Sequence, residues 1–220
     1  MASTKEVEVK FLVRDVRGLQ RKLREAGFRL MTPRTHEMNV LYDTQDRRLR
    51  ETGQLLRIRK YGKKWTLTHK TPTLPLRFAQ GQGGAPKFPT IRGAQGGTPG
   101  KGRHKTRVET ESEIADGVKL EAIFRALGFT PTFRYEKFRS EWTDGKGEVV
   151  VDETPIGNVA EIEGPPRWID RTARTLGVSR AEYITKNYAQ MFEEWKQRTG
   201  SKAKEMTFAA VRKRPGRTKR

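Results

Sequence analysis

A chain of 220 residues is long enough to bury a core, and the absence of cysteine excludes disulfides and thiolate metal sites. No apolar run is long enough to cross a bilayer and no signal-peptide start is present, so a cytoplasmic protein without membrane contact is expected. The formal charge of +20 invites a nucleic-acid reading, but its distribution weakens that reading. Residues 71–105 hold six Lys or Arg and no acid, and residues 201–220 hold eight with one acid, so these stretches carry +6 and +7 and leave +7 for the other 165 residues.

The first strand is predicted around Glu-Val-Glu-Val-Lys, residues 6–10. Strand alternation puts Glu6, Glu8 and Lys10 on one side and Val7, Val9 and Phe11 on the other. Asp15 caps a helix with the apolar stripe Val16, Leu19, Leu23 and Ala26, ended by Gly27. Strands follow at 36–43, at 54–60 with Arg57 and Arg59 on one face, and at 65–70 with Thr66, Thr68 and Lys70 on one face.

Residues 71–105 contain eight glycines and five prolines, which reads as a disordered basic insertion in a hairpin. Strand pattern resumes at 105–113, where Arg107, Glu109 and Glu111 share a face, and Asp116 caps a helix over 117–127. Residues 7–28 align without gaps on 108–129, with identities at strand, cap, helix core and helix end. The alignment predicts a duplicated strand-helix-strand unit closing one sheet.

The second half predicts strands at 133–142 (Lys137 and Arg139 on one face), 148–152 and 159–163. A short helix begins at Pro165 and Pro166. Ser179 and Glu182 form a capping box for the last helix, whose aromatics are expected to pack on the outside of the sheet. Residues 1–200 are thus read as one domain interrupted at about 71–105, and 201–220 as a disordered basic tail whose removal should spare turnover.

An ordinary sheet would show this charged face to water. The alternative is an eight-stranded antiparallel β-barrel, α+β in class, with helices over its apolar outside and a charged lumen. Glu-x-Glu pairs at 6/8, 109/111 and 161/163 crowd like charges, which a divalent cation would relieve; all-oxygen ligation suits Mg²⁺ or Mn²⁺. The basic residues on the same face suit a highly anionic ligand, and a chain of phosphates fits both halves of the set.

With these motifs in order, the sequence resembles the CYTH domain, or triphosphate tunnel metalloenzymes, a family of class IV adenylate cyclases, thiamine triphosphatases and inorganic triphosphatases. The resemblance rests on Glu6-x-Glu8-x-Lys10, Leu56-Arg57-Ile58-Arg59, Lys70, residues 135–139, residues 152–157 and Glu161-Ile162-Glu163-Gly164. It implies a metal held by Glu6, Glu8, Asp152, Glu161 and Glu163. Triphosphate would be held by Lys10, Arg57, Arg59, Lys70, Arg107, Lys137 and Arg139. Glu109 and Glu111 would be further metal or water-positioning groups, and Lys186 a lysine reaching the tunnel. The expected activity is metal-dependent hydrolysis of tripolyphosphate or an organic triphosphate. The alternatives are cyclic AMP formation from ATP and a non-catalytic polyphosphate- or RNA-binding module, with nonspecific polyanion contact through tail and insertion.

Overall fold

The computed structural model describes residues 4–72 and 105–212, with the side chains of residues 4–6 and 105–106 outside the described part. Among the described residues there are eight strands: β1 Thr4–Val13, β2 Arg29–Thr44, β3 Leu55–Tyr61, β4 Lys64–Pro72, β5 Lys105–Ile114, β6 Phe129–Thr143, β7 Glu148–Thr154 and β8 Gly157–Glu163. All pairings are antiparallel, and the order β1-β5-β4-β3-β2-β6-β7-β8 closes on itself through β1 and β8. Closure removes every sheet edge and leaves each strand an inner and an outer face. The predicted α+β barrel is what forms. The insertion lies outside the described residues, apart from Thr71, Pro72 and Lys105, which extend β4 and β5.

The duplication is visible as two β-α-β successions. Helix α1 (Val16–Glu25) joins β1 to β2, and α3 (Gly117–Ala126) joins β5 to β6. Asp15 accepts from the Gly18 amide and Asp116 from the Val118 and Lys119 amides, so both helices start where the sequence expects. The two first strands pair, as do the two second strands. Between β2 and β3 lies a single helical turn, α2 (Arg48–Glu51). The Asp43 carboxylate holds it by accepting from the amides of Leu49 and Arg50.

Apolar residues on the outside of β1, β7 and β8 pack under α1 and α4 (Pro166–Leu176): Val9, Phe11, Val149, Val151 and Ile162 meet Leu19, Leu23, Trp168 and Ile169. A second outer cluster sets Val40, Tyr42 and Ile58 against Phe124 of α3. Helix α3 sits low on the sheet because Gly117 has no side chain; a Cβ there would fall 2.2 Å from Trp65 Cε3.

Three expectations about the C-terminal part are corrected. The Ser179–Glu182 capping box closes a 3-10 turn over Arg180–Glu182, while the last long helix, α5 (Tyr188–Thr199), carries its own box from Asn187 and Gln190. The aromatics of α5 do not lie on the outer face. Tyr188 and Phe192 pack with Tyr135 and Val159, whose strand positions alternate with outward residues and therefore point inward. The helix thus stops one end of the barrel.

Residues 201–212 are not a tail either. Met206 is 0% exposed in the same cluster and exchanges backbone hydrogen bonds with β6, through Arg134 and Glu136. Helix α6 (Phe208–Arg212) follows, its first amide donating to Glu136 Oε1 over 2.6 Å. The apolar side chains Met206 and Val211 outweigh the surrounding basic residues here. Residues 213–220 lie outside the described part.

Candidate active site in the barrel lumen

Strand β1 is buried on both faces. Val9 and Phe11 are 3% and 4% exposed under the helices, and Glu8 and Lys10 on the opposite face are 7% and 5% exposed. The charged face is therefore a lumen and not a wet surface. Charge at that depth is costly, on the order of several kcal/mol per ion, unless it is paired. The lumen pairs it in two connected groups.

The first group spans β1, β8, β7, β6 and β2. Lys10 Nζ lies 2.7 Å from Glu8 Oε1 and 3.2 Å from Glu161 Oε1. Arg139 grips Asp152 with two parallel bonds of 2.7 Å each and reaches Glu161 Oε2 at 3.2 Å. Lys137 donates to Asp152 Oδ2 at 2.9 Å and stands 3.4 Å from Glu37 Oε1. Tyr188, at the start of α5, brings its hydroxyl to 2.6 Å from Asp152 Oδ2 and 3.0 Å from Glu161 Oε1.

The second group spans β3, β4 and β5. Arg59 Nη2 lies 2.6 Å from Glu111 Oε1, and Lys70 Nζ 2.8 Å from Glu109 Oε2. Arg57 Nη2 stands 3.6 Å from Glu111 and 3.9 Å from Glu109. Thr68 donates to Glu111 Oε2 over 2.6 Å and accepts from Arg57, while Thr66 accepts from Arg59.

Burial and pairing together shift Lys10, Glu161, Glu37 and Tyr188. Burial opposes the Lys10 ammonium, but Glu161 and Glu8 more than offset it and hold its pKa above the ordinary lysine range. Burial also pushes the Glu161 and Glu37 carboxyls up. Lys10, Arg139 and Lys137 overcome that for Glu161, and Lys137, Arg139, Arg57 and Arg59 for Glu37, so both fall below the usual carboxylate range. The Tyr188 phenol is pushed well up by burial and by Asp152 and Glu161, so it stays a donor.

Of the residues named from the sequence, Glu8, Lys10, Arg57, Arg59, Lys70, Glu109, Glu111, Lys137, Arg139, Asp152 and Glu161 come together here. Glu6 faces Arg107 in register, and its side chain lies outside the described part. Arg107 is half-buried on β5, opposite Pro72. Glu163 is exposed at the rim, in register with Glu8 and Glu148. Lys186 is not in the lumen: its side chain is 51% exposed and pairs with Glu194 over 2.6 Å. The lysine precedes the first turn of α5, and it is the Tyr188 hydroxyl of this helix that reaches the charged groups of the lumen. The sequence reading also passed over Glu37 and Asn39 on β2.

The donor set fits a hard divalent cation in kind, being carboxylate oxygens without sulfur. Glu8 and Glu161 fit one in position, since both touch the Lys10 ammonium from adjacent strands. The oxygens of Glu161 and of Asp152 are both engaged, so a metal would have to exchange with Lys10, Arg139 and Tyr188 at the first and with Lys137, Arg139 and Tyr188 at the second. Among the described residues no three acidic or imidazole side chains converge in metal-binding geometry.

A closed antiparallel barrel with an apolar outside and a wall of paired acids and bases inside is the architecture expected of the CYTH domain. The CYTH domain model matches residues 4–188, and the chain belongs to that family. A Methanocaldococcus jannaschii protein provisionally named an adenylate cyclase is 24% identical over 197 residues, covering 84% of this chain and 97% of its own. The structure of a Vibrio parahaemolyticus protein, also provisionally named an adenylate cyclase, superposes with a TM-score of 0.64 at 16% identity, over 87% of this chain and 99% of that one. A Hippeastrum protein provisionally named an adenylyl cyclase, and described as having a dominant triphosphatase activity, superposes with a TM-score of 0.52 at 20% identity, over 86% and 95%.

Proposed function

We propose that the lumen binds the phosphate chain of a triphosphate and hydrolyses it with the help of Mg²⁺ or Mn²⁺. The observation that carries this reading is the convergence of Lys10, Arg57, Arg59, Lys70, Lys137 and Arg139 on one buried space, each facing a carboxylate. Internal carboxylates hold the positions that phosphate oxygens would take. A phosphate chain would exchange with them, with arginine forks taking two oxygens at a time and lysines acting as point charges. The released carboxylates Glu8 and Glu161, with Glu6 and Glu163 on the same strands, would hold the metal. When bound, that metal supplies charge neutralisation and polarises the phosphoryl group under attack. The chain's own contribution is alignment and preorganised charge among buried side chains, the main requirement of phosphoryl transfer.

Hydrolysis is preferred over cyclisation because a fold relative is described as having dominant triphosphatase activity. The second reading, cyclic AMP formation from ATP, is favoured by the name of the archaeal relative. Purified chain with Mg²⁺ or Mn²⁺ should release phosphate from tripolyphosphate, ATP or thiamine triphosphate. Cyclic AMP and pyrophosphate from ATP, without phosphate release from any of the three, would favour the second reading. No product from any substrate would overturn both.

A further inference from the structure

Glu37 and Asn39 stand two residues apart on the lumen face of β2, each 0% exposed. Asn39 Nδ2 donates to Glu37 Oε1 over 2.8 Å. Of the remaining oxygens, Glu37 Oε2 and Asn39 Oδ1, neither receives a hydrogen bond from any of the described residues. Arg139 Nε is 3.9 Å from Oε2, an ion-pair distance and not a hydrogen bond. A fold retains buried acceptors of this kind where a ligand or water completes them. Phosphate oxygens are themselves acceptors and cannot complete either one. A water molecule brings two hydrogens.

The location matters as much as the valence. Strand β2 is the edge of the first ion-pair group, with β6 of that group on one side and β3 of the second group on the other, so Glu37 is set among Lys137, Arg139, Arg57 and Arg59. These are four of the side chains assigned above to the phosphates.

We propose that Glu37 and Asn39 form the seat of the attacking water in the hydrolytic reaction, a proposal that rests on the function argued above. The water donates one hydrogen to Glu37 Oε2 and one to Asn39 Oδ1, which turns a lone pair toward the terminal phosphorus. Its oxygen bonds to that phosphorus. The bridging P–O bond breaks, and its electron pair leaves on the pyrophosphate portion. One proton passes to Glu37 Oε2, and the other stays on the new phosphate oxygen. In the free chain the surrounding cations make Glu37 a weak base. Phosphates that engage those same cations relieve the effect, so the base strengthens as substrate binds.

The test compares wild type, Glu37→Gln and Asn39→Ala for turnover of tripolyphosphate with Mg²⁺ and, by calorimetry, for tripolyphosphate affinity. Glu37→Gln should lower kcat roughly 100-fold while the Kd stays equal or tightens, because an anion has left an anion site. Asn39→Ala should lower kcat about tenfold with Kd little changed. Wild-type kcat in Glu37→Gln with tighter binding would reduce Glu37 to a counter-ion and overturn the proposal. If Glu37→Gln fails to fold, Asn39→Ala decides: an unchanged kcat overturns the seat, and a lowered kcat with intact binding supports it. A wild-type chain that turns over none of the three triphosphates removes the function reading and the seat with it, whereas wild-type turnover unaffected by either substitution removes the seat alone.

Discussion

Glu8 and Glu161 share the ammonium of Lys10, so each carboxylate is both a candidate metal ligand and half of a buried ion pair. Glutamine at either position keeps the shape and removes the charge. Glu8→Gln or Glu161→Gln should cut metal-dependent phosphate release by roughly 100-fold or more while circular dichroism stays native; turnover at the wild-type rate would contradict the assignment. Tyr188 tests the neighbouring contact. Its one hydroxyl proton serves two carboxylates, Asp152 and Glu161, at 2.6 and 3.0 Å. Tyr188→Phe should cost about 1–2 kcal/mol in urea denaturation, and unchanged stability would mean that the lumen carries those charges without the phenol. At this scale the sequence was most legible where charges repeat. Glu-x-Glu and Arg-x-Arg patterns announced β1, β3, β5 and β8. Strand β2 sends a single acid and an amide inward, Glu37 and Asn39, between apolar outward residues, and so showed no repeat to notice.

Elements were legible in proportion to how locally they are determined. Asp15, Asp116 and Gly27 marked two helices because capping is a contact within one turn. The destination of α5 was not, since an apolar stripe tells which face is buried but not against what. Tyr188, Phe192 and Trp195 would read the same on the outer wall as in the barrel end. The segment after Gly200 was misread for a related reason: its basic residues dominate the composition, while Met206, Phe208 and Val211 do the docking. Met206→Ala should therefore cost about 2–5 kcal/mol, read as a lowered urea midpoint. Deleting residues 201–220 should destabilise the barrel instead of sparing turnover. A truncated chain as stable as the full one would show that this segment does not hold the end closed.

For the whole molecule, a lumen of matched charges predicts a particular dependence on pH. The Glu37 and Glu161 carboxyls are depressed, so their contribution is complete above the unfolded carboxylate pKa of about 4.3 and is lost as pH falls through their folded values. Lys10 is raised, so its contribution is complete below about 10.4 and is lost as pH rises through its folded value. Urea midpoints should be nearly flat from about pH 6 to 9 and fall below about pH 4. A steep change near pH 6.5 would instead indicate a histidine outside this network. The overall charge of +20 remains the competing explanation for any polyanion binding, because basic residues outside the barrel attract phosphate without a site.

Calorimetric titration of tripolyphosphate into wild type and the double variant Arg57→Gln/Arg139→Gln separates the two directly. A lumen site predicts one tripolyphosphate per chain, weakened at least about 100-fold in a double variant that remains folded, since each buried arginine fork is worth roughly 1.5–3 kcal/mol. Several weak equivalents per chain, indifferent to both arginines and abolished by moderate salt, would place the phosphate on the outside of the protein and contradict the account.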